Sequence, residues 1–235
     1  MGQGKIAFAR VTDPQGPGMA LGVAGSGSTA CIKHLQKDLM TMATAQVLPH
    51  HEFEKQVAAA ARKFHREYVI PFAAFPERPN VSLLIGYYHG QSARLWSTSE
   101  NLLTESRSYA AIGAGAMYAN ILLSRLFLPL WPMDTKVAAL LADYVVNEVK
   151  EHIDGCGKDT DIACIGPYSG CFLDRFAIRQ LDDLLDSISG INTGVIRCAF
   201  SGDDAFASTK KVLAEIKSLR QKLDKIWHGF RAEIT

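Results

Sequence analysis

The sequence has no apolar run of the 18 or more residues that a membrane-spanning helix needs. An excess of one charge is missing too. Lys and Arg number 25 against 24 Asp and Glu, a formal net charge of +1. No global field therefore draws the chain to nucleic acid or to an anionic membrane. The first residues, MGQGKIAFAR, hold no signal-peptide core, and Ile6 stands where N-myristoylation wants Ser or Thr. Cysteine is sparse: Cys31, Cys156, Cys164, Cys171 and Cys198 are odd in number, and no two are two or three residues apart. That spacing suggests neither a disulfide framework nor a zinc knuckle. The thiols read as reduced, in a cytosolic protein, so a cytoplasmic location is expected. P-loop, zinc motif and paired carboxylates at catalytic spacing are also absent, so neither a metal nor a cofactor is expected.

What is there is a core. Apolar residues make up 48% of 235, enough for one large domain or one domain with an appendage. Lys5–Val11 (KIAFARV) reads as a strand, and DPQGPG after it as a turn. Met19–Gly25 (MALGVAG) is a second strand, buried on both faces because it does not alternate. Ser26, Ser28 and Thr29 can cap the helix that follows, where Ile32, Leu35, Leu39 and Met42 recur at helical spacing. Pro49 separates it from a second helix, about Glu52 to Tyr68, with Phe53, Val57, Ala60, Ala61 and Phe64 on one face. VSLLIGYYHGQSARLWSTSE reads as a hairpin turning near Gly90. SYAAIG is the next expected strand, then a helix after Gly115, another from about Asp134 to Ile153, and a strand in DTDIACIG.

One stretch looks like a dinucleotide site. Gly113-Ala114-Gly115 precedes a helix in the pattern G-x-G-x-x-A. That fingerprint also needs a parallel strand directly after the helix, with an acidic residue about 20 positions on. Here a Pro break and a second helix follow, so the context fails. The order of helix pairs between antiparallel strands is not a βαβ alternation either.

Three segments carry a resemblance. ALGVAGSGSTACIKHLQKDL is similar to a strand, then AG and small residues, then a helix. AAIGAGAMYANILLSRL resembles an AIGSG…YA strand-to-helix junction. EVKEHIDGCGKDTDIACIG resembles a helix, Asp, Gly-rich turn and final strand. In that order and spacing they resemble the proteasome family: the β-type subunits and the bacterial proteasome-like peptidase that works with an unfoldase ring. The likeness runs from Lys5 to about Gly166, roughly two-thirds of the chain. It implies an α/β (α+β) fold, an N-terminal-nucleophile (Ntn) hydrolase-like αββα sandwich. It implies threonine-type amide-bond hydrolysis, a homo-oligomer or ring, and an unfoldase partner.

The resemblance also assigns residues. Lys5 falls where the family's lysine lowers the proton affinity of the nucleophile's amine, and Asp154 matches the aspartate before the Gly-rich turn. Gly25 matches a position whose backbone N–H helps to hold an oxyanion, with Gly113 and Gly115 at the second junction. Each has a plainer reading: a solvated strand-end lysine, a turn-capping aspartate, and glycines that let a helix start close to a sheet. The pattern departs elsewhere. Ala114 and Gly157 replace the family's hydroxyls, and the nucleophilic threonine with its two strands would lie upstream of Lys5. Either more chain precedes this start, or the chain is a reduced, non-catalytic scaffold that forms a ring or dimer. Missing strands would expose sheet edges, which favours the former or the strands of another chain.

Other chemistry-bearing residues read blandly. Ser169 is not in G-x-S-x-G, His50 and His51 begin a helix, Cys156 is a loop thiol, and Asp203 and Asp204 sit before the last helix. The organisation expected is a core over 1–168 and a C-terminal extension over 169–235. In the extension, Phe176, Leu181, Leu184, Leu185 and Ile188 share a helix face, and TGVIRCAF reads as a short strand. Val212, Ile216, Leu219, Leu223, Ile226 and Phe230 then form an a/d stripe in a basic helix. That stripe suits packing on its own domain, a subunit contact or, least, a membrane surface.

Overall fold

The computed structural model describes residues 6–11, 18–75, 78–126, 135–157, 160–166, 170–200 and 205–234. Two compact units emerge: Met1–Pro129 with Val149–Phe172, and Leu130–Glu148 with Leu173–Thr235.

The first unit is built on a five-stranded antiparallel meander, β1 (Ile6–Val11), β2 (Met19–Gly27), β3 (Val81–His89), β4 (Ser92–Ser99) and β5 (Leu102–Ser106), in that spatial order. The hairpin expected at Gly90 forms. Gly90 and Gln91 both have positive φ, as a two-residue turn that matches strand twist requires. Helices α1 (Thr29–Ala45) and α2 (His50–Phe64) cover one face. Strand parity explains the pairing. Leu21 and Val23 of β2 stand opposite Tyr87 and Ile85 of β3, and Trp96 of β4 stands opposite Ile85, all on that face. They are fully or nearly fully buried against Ile32, Leu35 and Leu39 of α1 and Phe53 and Val57 of α2. Phe53 stacks on Tyr87 with ring centroids 4.0 Å apart. Gln36 reaches from α1 into the same layer and donates to the Val23 carbonyl at 2.9 Å.

The opposite face is opened by glycine. Gly22 and Gly86 are register partners, and a Cβ on either would meet the Ile165 side chain. Ile165 belongs to β6 (Ala163–Ile165), which pairs with β7 (Gly170–Phe172) in a small second sheet. The α/β class expected, of the Ntn-hydrolase-like layered type, is the one observed.

Details differ from the sequence reading. SYAAIG is not a strand: residues 107–112 are irregular, and β5 lies earlier. Glu100 takes φ 54° and turns the chain straight back, so Leu102 pairs with Ser99 before SYAAIG is reached. Ser28 is the α1 N-cap by position, but its side chain makes no cap bond. α2 does not simply stop. It runs into a π-helical turn, His65–Val69, and a 3-10 turn, Ile70–Phe72.

After β5 come α3 (Ala116–Leu126) and α4 (Thr135–His152), whose last turn belongs to the first unit. The second unit holds the rest of α4 with α5 (Arg175–Phe200) and α6 (Ala205–Ile234). TGVIRCAF is therefore helix, not strand: the β-branched residues follow the long helix that packs on α6. Asp174 caps α5 through Ala177 N–H at 2.7 Å. The buried face of α5 is Ala177, Ile178, Leu181 and Leu184, whereas Phe176 is exposed. Asn147 of α4 donates to Asp182 of α5 at 2.7 Å, and Lys136 of α4 to Asp224 of α6 at 2.9 Å. That bond and the ammonium charge hold the Asp224 carboxyl below its ordinary range. Along the α6 stripe Val212 is buried, Leu219, Leu223 and Ile226 are half-buried, and Ile216 is exposed. The Phe230 side chain lies outside the described residues.

Candidate functional site

A strand-to-helix junction, a loop-to-helix junction and one helix-end turn converge in the first unit. At the first junction, a Cβ on Gly25 would lie 2.3 Å from Ile32 Cγ2, so only glycine lets α1 seat this residue on β2. Gly27, two residues on, has φ +107° and lies against the Asn80 carbonyl. At the second, Gly113 has φ +94°, and its Cβ would lie 2.7 Å from Ser26 Oγ. The loop that opens α3 thus rests on the end of β2. A Cβ on Gly115 would meet Val149 Cγ1 at 2.2 Å and Cys156 Sγ at 3.4 Å. Val149 and Cys156 bracket the turn that carries Asp154, closed by Gly155 at φ +81°. Ser26, Gly113, Gly115 and that turn are therefore neighbours. Asp154 itself is exposed and makes no ion pair or side-chain hydrogen bond among the described residues. Lys5 and Ser169 lie outside the described residues.

A second feature was not legible in the sequence. The β3–β4 ladder ends at Leu84 opposite Ser97. One step further, the Leu83 N–H donates instead to Thr98 Oγ1 at 2.8 Å, and the strands part. A cleft of about 290 Å³ lies in the split. Its depth is apolar, with Leu35, Ala61, Phe64 and Val69. Its polar margin includes His65, Arg78, Asn80, Ser82, Ser99 and Glu100. The π-helical turn begins at His65, whose Nδ1 is buried with no hydrogen-bond partner among the described residues. Arg78 and Glu100 face each other at 3.7 Å, both more than half exposed. No run of residues announces this place, because it depends on where a register ends.

Among the described residues no cluster of three or more His, Cys, Asp or Glu could hold a metal ion, and no helix is long and apolar enough to cross a membrane.

The layered fold is shared with solved structures of the proteasome-like Ntn type. Two such structures are of Anbu. Anbu (ancestral beta-subunit) from Yersinia bercovieri superposes with a TM-score of 0.59 at 14% identity, covering 79% of this chain and 83% of that one. An Anbu (Gly-1) mutant from Hyphomicrobium sp. strain MC1 gives 0.57 at 16% identity, covering 84% of each. No protein-family model matches the chain, and no curated protein does. The expected membership of the proteasome β-subunit and bacterial proteasome-like peptidase family is therefore corrected. The likeness is to Anbu, at an identity too low to carry anything but the fold.

Proposed function

We propose that this chain is an assembling subunit of the proteasome-like Ntn fold, joined to further copies through α3. The observation that carries this is the helix AMYANILLSRL. It is rich in large apolar side chains, yet Ala119 is its only buried residue, while Met117 is 78% and Ile121 43% exposed. Contiguous exposed apolar surface on a folded domain marks an interaction site. Anbu from Yersinia bercovieri, which shares the fold, is an ancestral beta-subunit. Light scattering on the wild type and on Met117→Asp/Ile121→Asp tests the reading. The wild type is expected to be larger than one chain, and the variant to fall to the mass of one chain with its fold intact. A monomeric wild type refutes it.

Amide-bond hydrolysis is the second reading. It is favoured by the Gly113 loop resting on Ser26, which gathers backbone donors from two junctions beside the Asp154 turn. In it Lys5 and Asp154 tune the terminal amine that serves as base for a threonine hydroxyl nucleophile, and the Gly25 N–H, with those of Gly113 and Gly115, holds the oxyanion. Fluorogenic peptides measure it. Turnover abolished by Lys5→Ala supports this chemistry, and turnover absent or indifferent to Lys5→Ala removes it.

A further inference from the structure

We propose that the cleft where β3 and β4 part binds a free amino acid or dipeptide with an apolar side chain, held by both of its charged termini. Among the described residues its lining holds no residue of α3 and none of Gly25, Gly113 and Gly115, and it meets the first junction only where Asn80 lies against Gly27, so the proposal does not rest on the function argued above.

The split supplies main-chain chemistry. In an antiparallel ladder alternate residues bond to the same neighbour. The hairpin closes on His89 and Ser92, and odd residues of β3 continue to face β4. Leu83 and Val81 therefore present their backbone groups to the gap, and β4 answers only with the Thr98 hydroxyl. Having accepted the Leu83 N–H, that hydroxyl keeps its own proton to donate. His65 Nδ1, buried and without a partner, is a further polar group that a ligand would satisfy.

The margin selects charge. Arg78 and Glu100 lie 3.7 Å apart at relative exposures of 56% and 60%. An exposed pair of that length holds little stability, so exchanging it for two bonds to a ligand is cheap. A carboxylate suits Arg78 and an ammonium suits Glu100. A multiply charged anion such as phosphate is disfavoured, because Glu100 stands beside Arg78, the only arginine among the described residues that line the cleft. The depth selects the side chain: Leu35, Ala61 and Phe64 are buried and apolar. A volume of about 290 Å³ admits one or two residues and no longer peptide.

Titration calorimetry of the full chain with L-leucine and leucyl-leucine tests this, with leucinamide, N-acetyl-leucine and inorganic phosphate beside them. Leucine or its dipeptide is expected to bind. Loss of either terminal charge should weaken binding at least about tenfold, the scale of one charged hydrogen bond. Arg78→Ala should make leucine and leucinamide bind alike, and Glu100→Gln should make leucine and N-acetyl-leucine bind alike. Both side chains are exposed, so circular dichroism should show both variants folded. Absence of binding by leucine and by leucyl-leucine overturns the proposal. So does binding that neither variant alters, or phosphate binding more tightly than leucine.

Discussion

Two junctions in this molecule carry the same sequence signal, small residues and glycine ahead of an apolar helix, and they end differently. Gly25 and Gly27 open α1, which buries Ile32, Leu35, Gln36, Leu39 and Ala43. Gly113 and Gly115 open α3, which buries Ala119 alone. The glycines are needed at both places for the same reason, a backbone that approaches closely. What differs is what the helix finds afterwards. α1 lands on a sheet face, while α3 keeps large apolar side chains in solvent. The local motif fixes the corner, and the surroundings decide whether the helix is core or surface.

The largest test of this comparison is Gly27→Ala against Gly113→Ala. At Gly27 a Cβ would lie 1.9 Å from the Asn80 carbonyl oxygen, with φ +107°. Backbone cannot swing aside. Strain and overpacking, each about 1–3 kcal/mol, should add to about 2–6 kcal/mol. At Gly113 the obstacle is the Ser26 hydroxyl, which can rotate, so only the φ strain of about 1–3 kcal/mol is expected. Urea midpoints of the two variants decide; an equal or larger loss at Gly113 breaks the argument.

The helices themselves come next. Leu39→Ala should destabilise by about 2–5 kcal/mol, since the side chain is 1% exposed in the main cluster. Ile121→Ala on α3 should stay within about 0.5 kcal/mol when measured on the isolated chain. A cost at Ile121 as large as at Leu39 would mean that α3 belongs to the core.

A smaller effect isolates one contact. Gly115→Ala should cost about 1–3 kcal/mol because its Cβ would strike Val149 Cγ1 at 2.2 Å. Val149→Ala removes that atom, so the double variant should be less destabilised than the sum of the two singles. Additivity would show that the last turn of α4 does not press on this junction.

Much of this architecture is legible in the residues. The spacing of Ile32, Leu35 and Leu39 gives α1, and Phe53, Val57 and Phe64 give α2, because both helices have one apolar face and one sheet to cover. Gly90 gives the hairpin because a two-residue turn needs positive φ. Where a segment's partner decides its state, the residues mislead. SYAAIG has strand-like residues, but Glu100 turns the chain before it. TGVIRCAF has β-branched residues, but α6 runs beside its helix. Phe176 has the right period for the α5 face and still lies in solvent, because Ala177 and Ile178 take the buried positions. The glycine junctions were readable, since glycine is where backbone meets backbone. The cleft was not. Thr98, His65 and Arg78 come together only because one ladder stops and one helix widens into a π turn.

The smallest expected effect concerns α2, which sets a histidine ring against the sheet, where α3 has no histidine. His50 begins α2, packs edge-on to Tyr87 with centroids 5.4 Å apart, and has a buried Nε2 with no hydrogen-bond partner. Its pKa is lowered, first by burial, then by His89 of β3, with Arg94 of β4 acting the same way. The Ser92 backbone and Glu105 of β5 oppose the shift without reversing it. In the unfolded chain the ring titrates near its ordinary 6.5. As pH falls through that value the unfolded state takes up the proton first, so the folded state loses stability there. The loss levels off once pH is below the lowered folded value. Above 6.5 both states are neutral and the contribution is constant. Chemical denaturation at pH 7.5 and pH 5.5 should therefore show lower stability at the acid end. His50→Gln should reduce that difference while leaving the carboxylate contribution further down in pH untouched. A variant with the same loss as the wild type would place the acid sensitivity in another group, and the packing of His50 at the start of α2 would then carry no titration of its own.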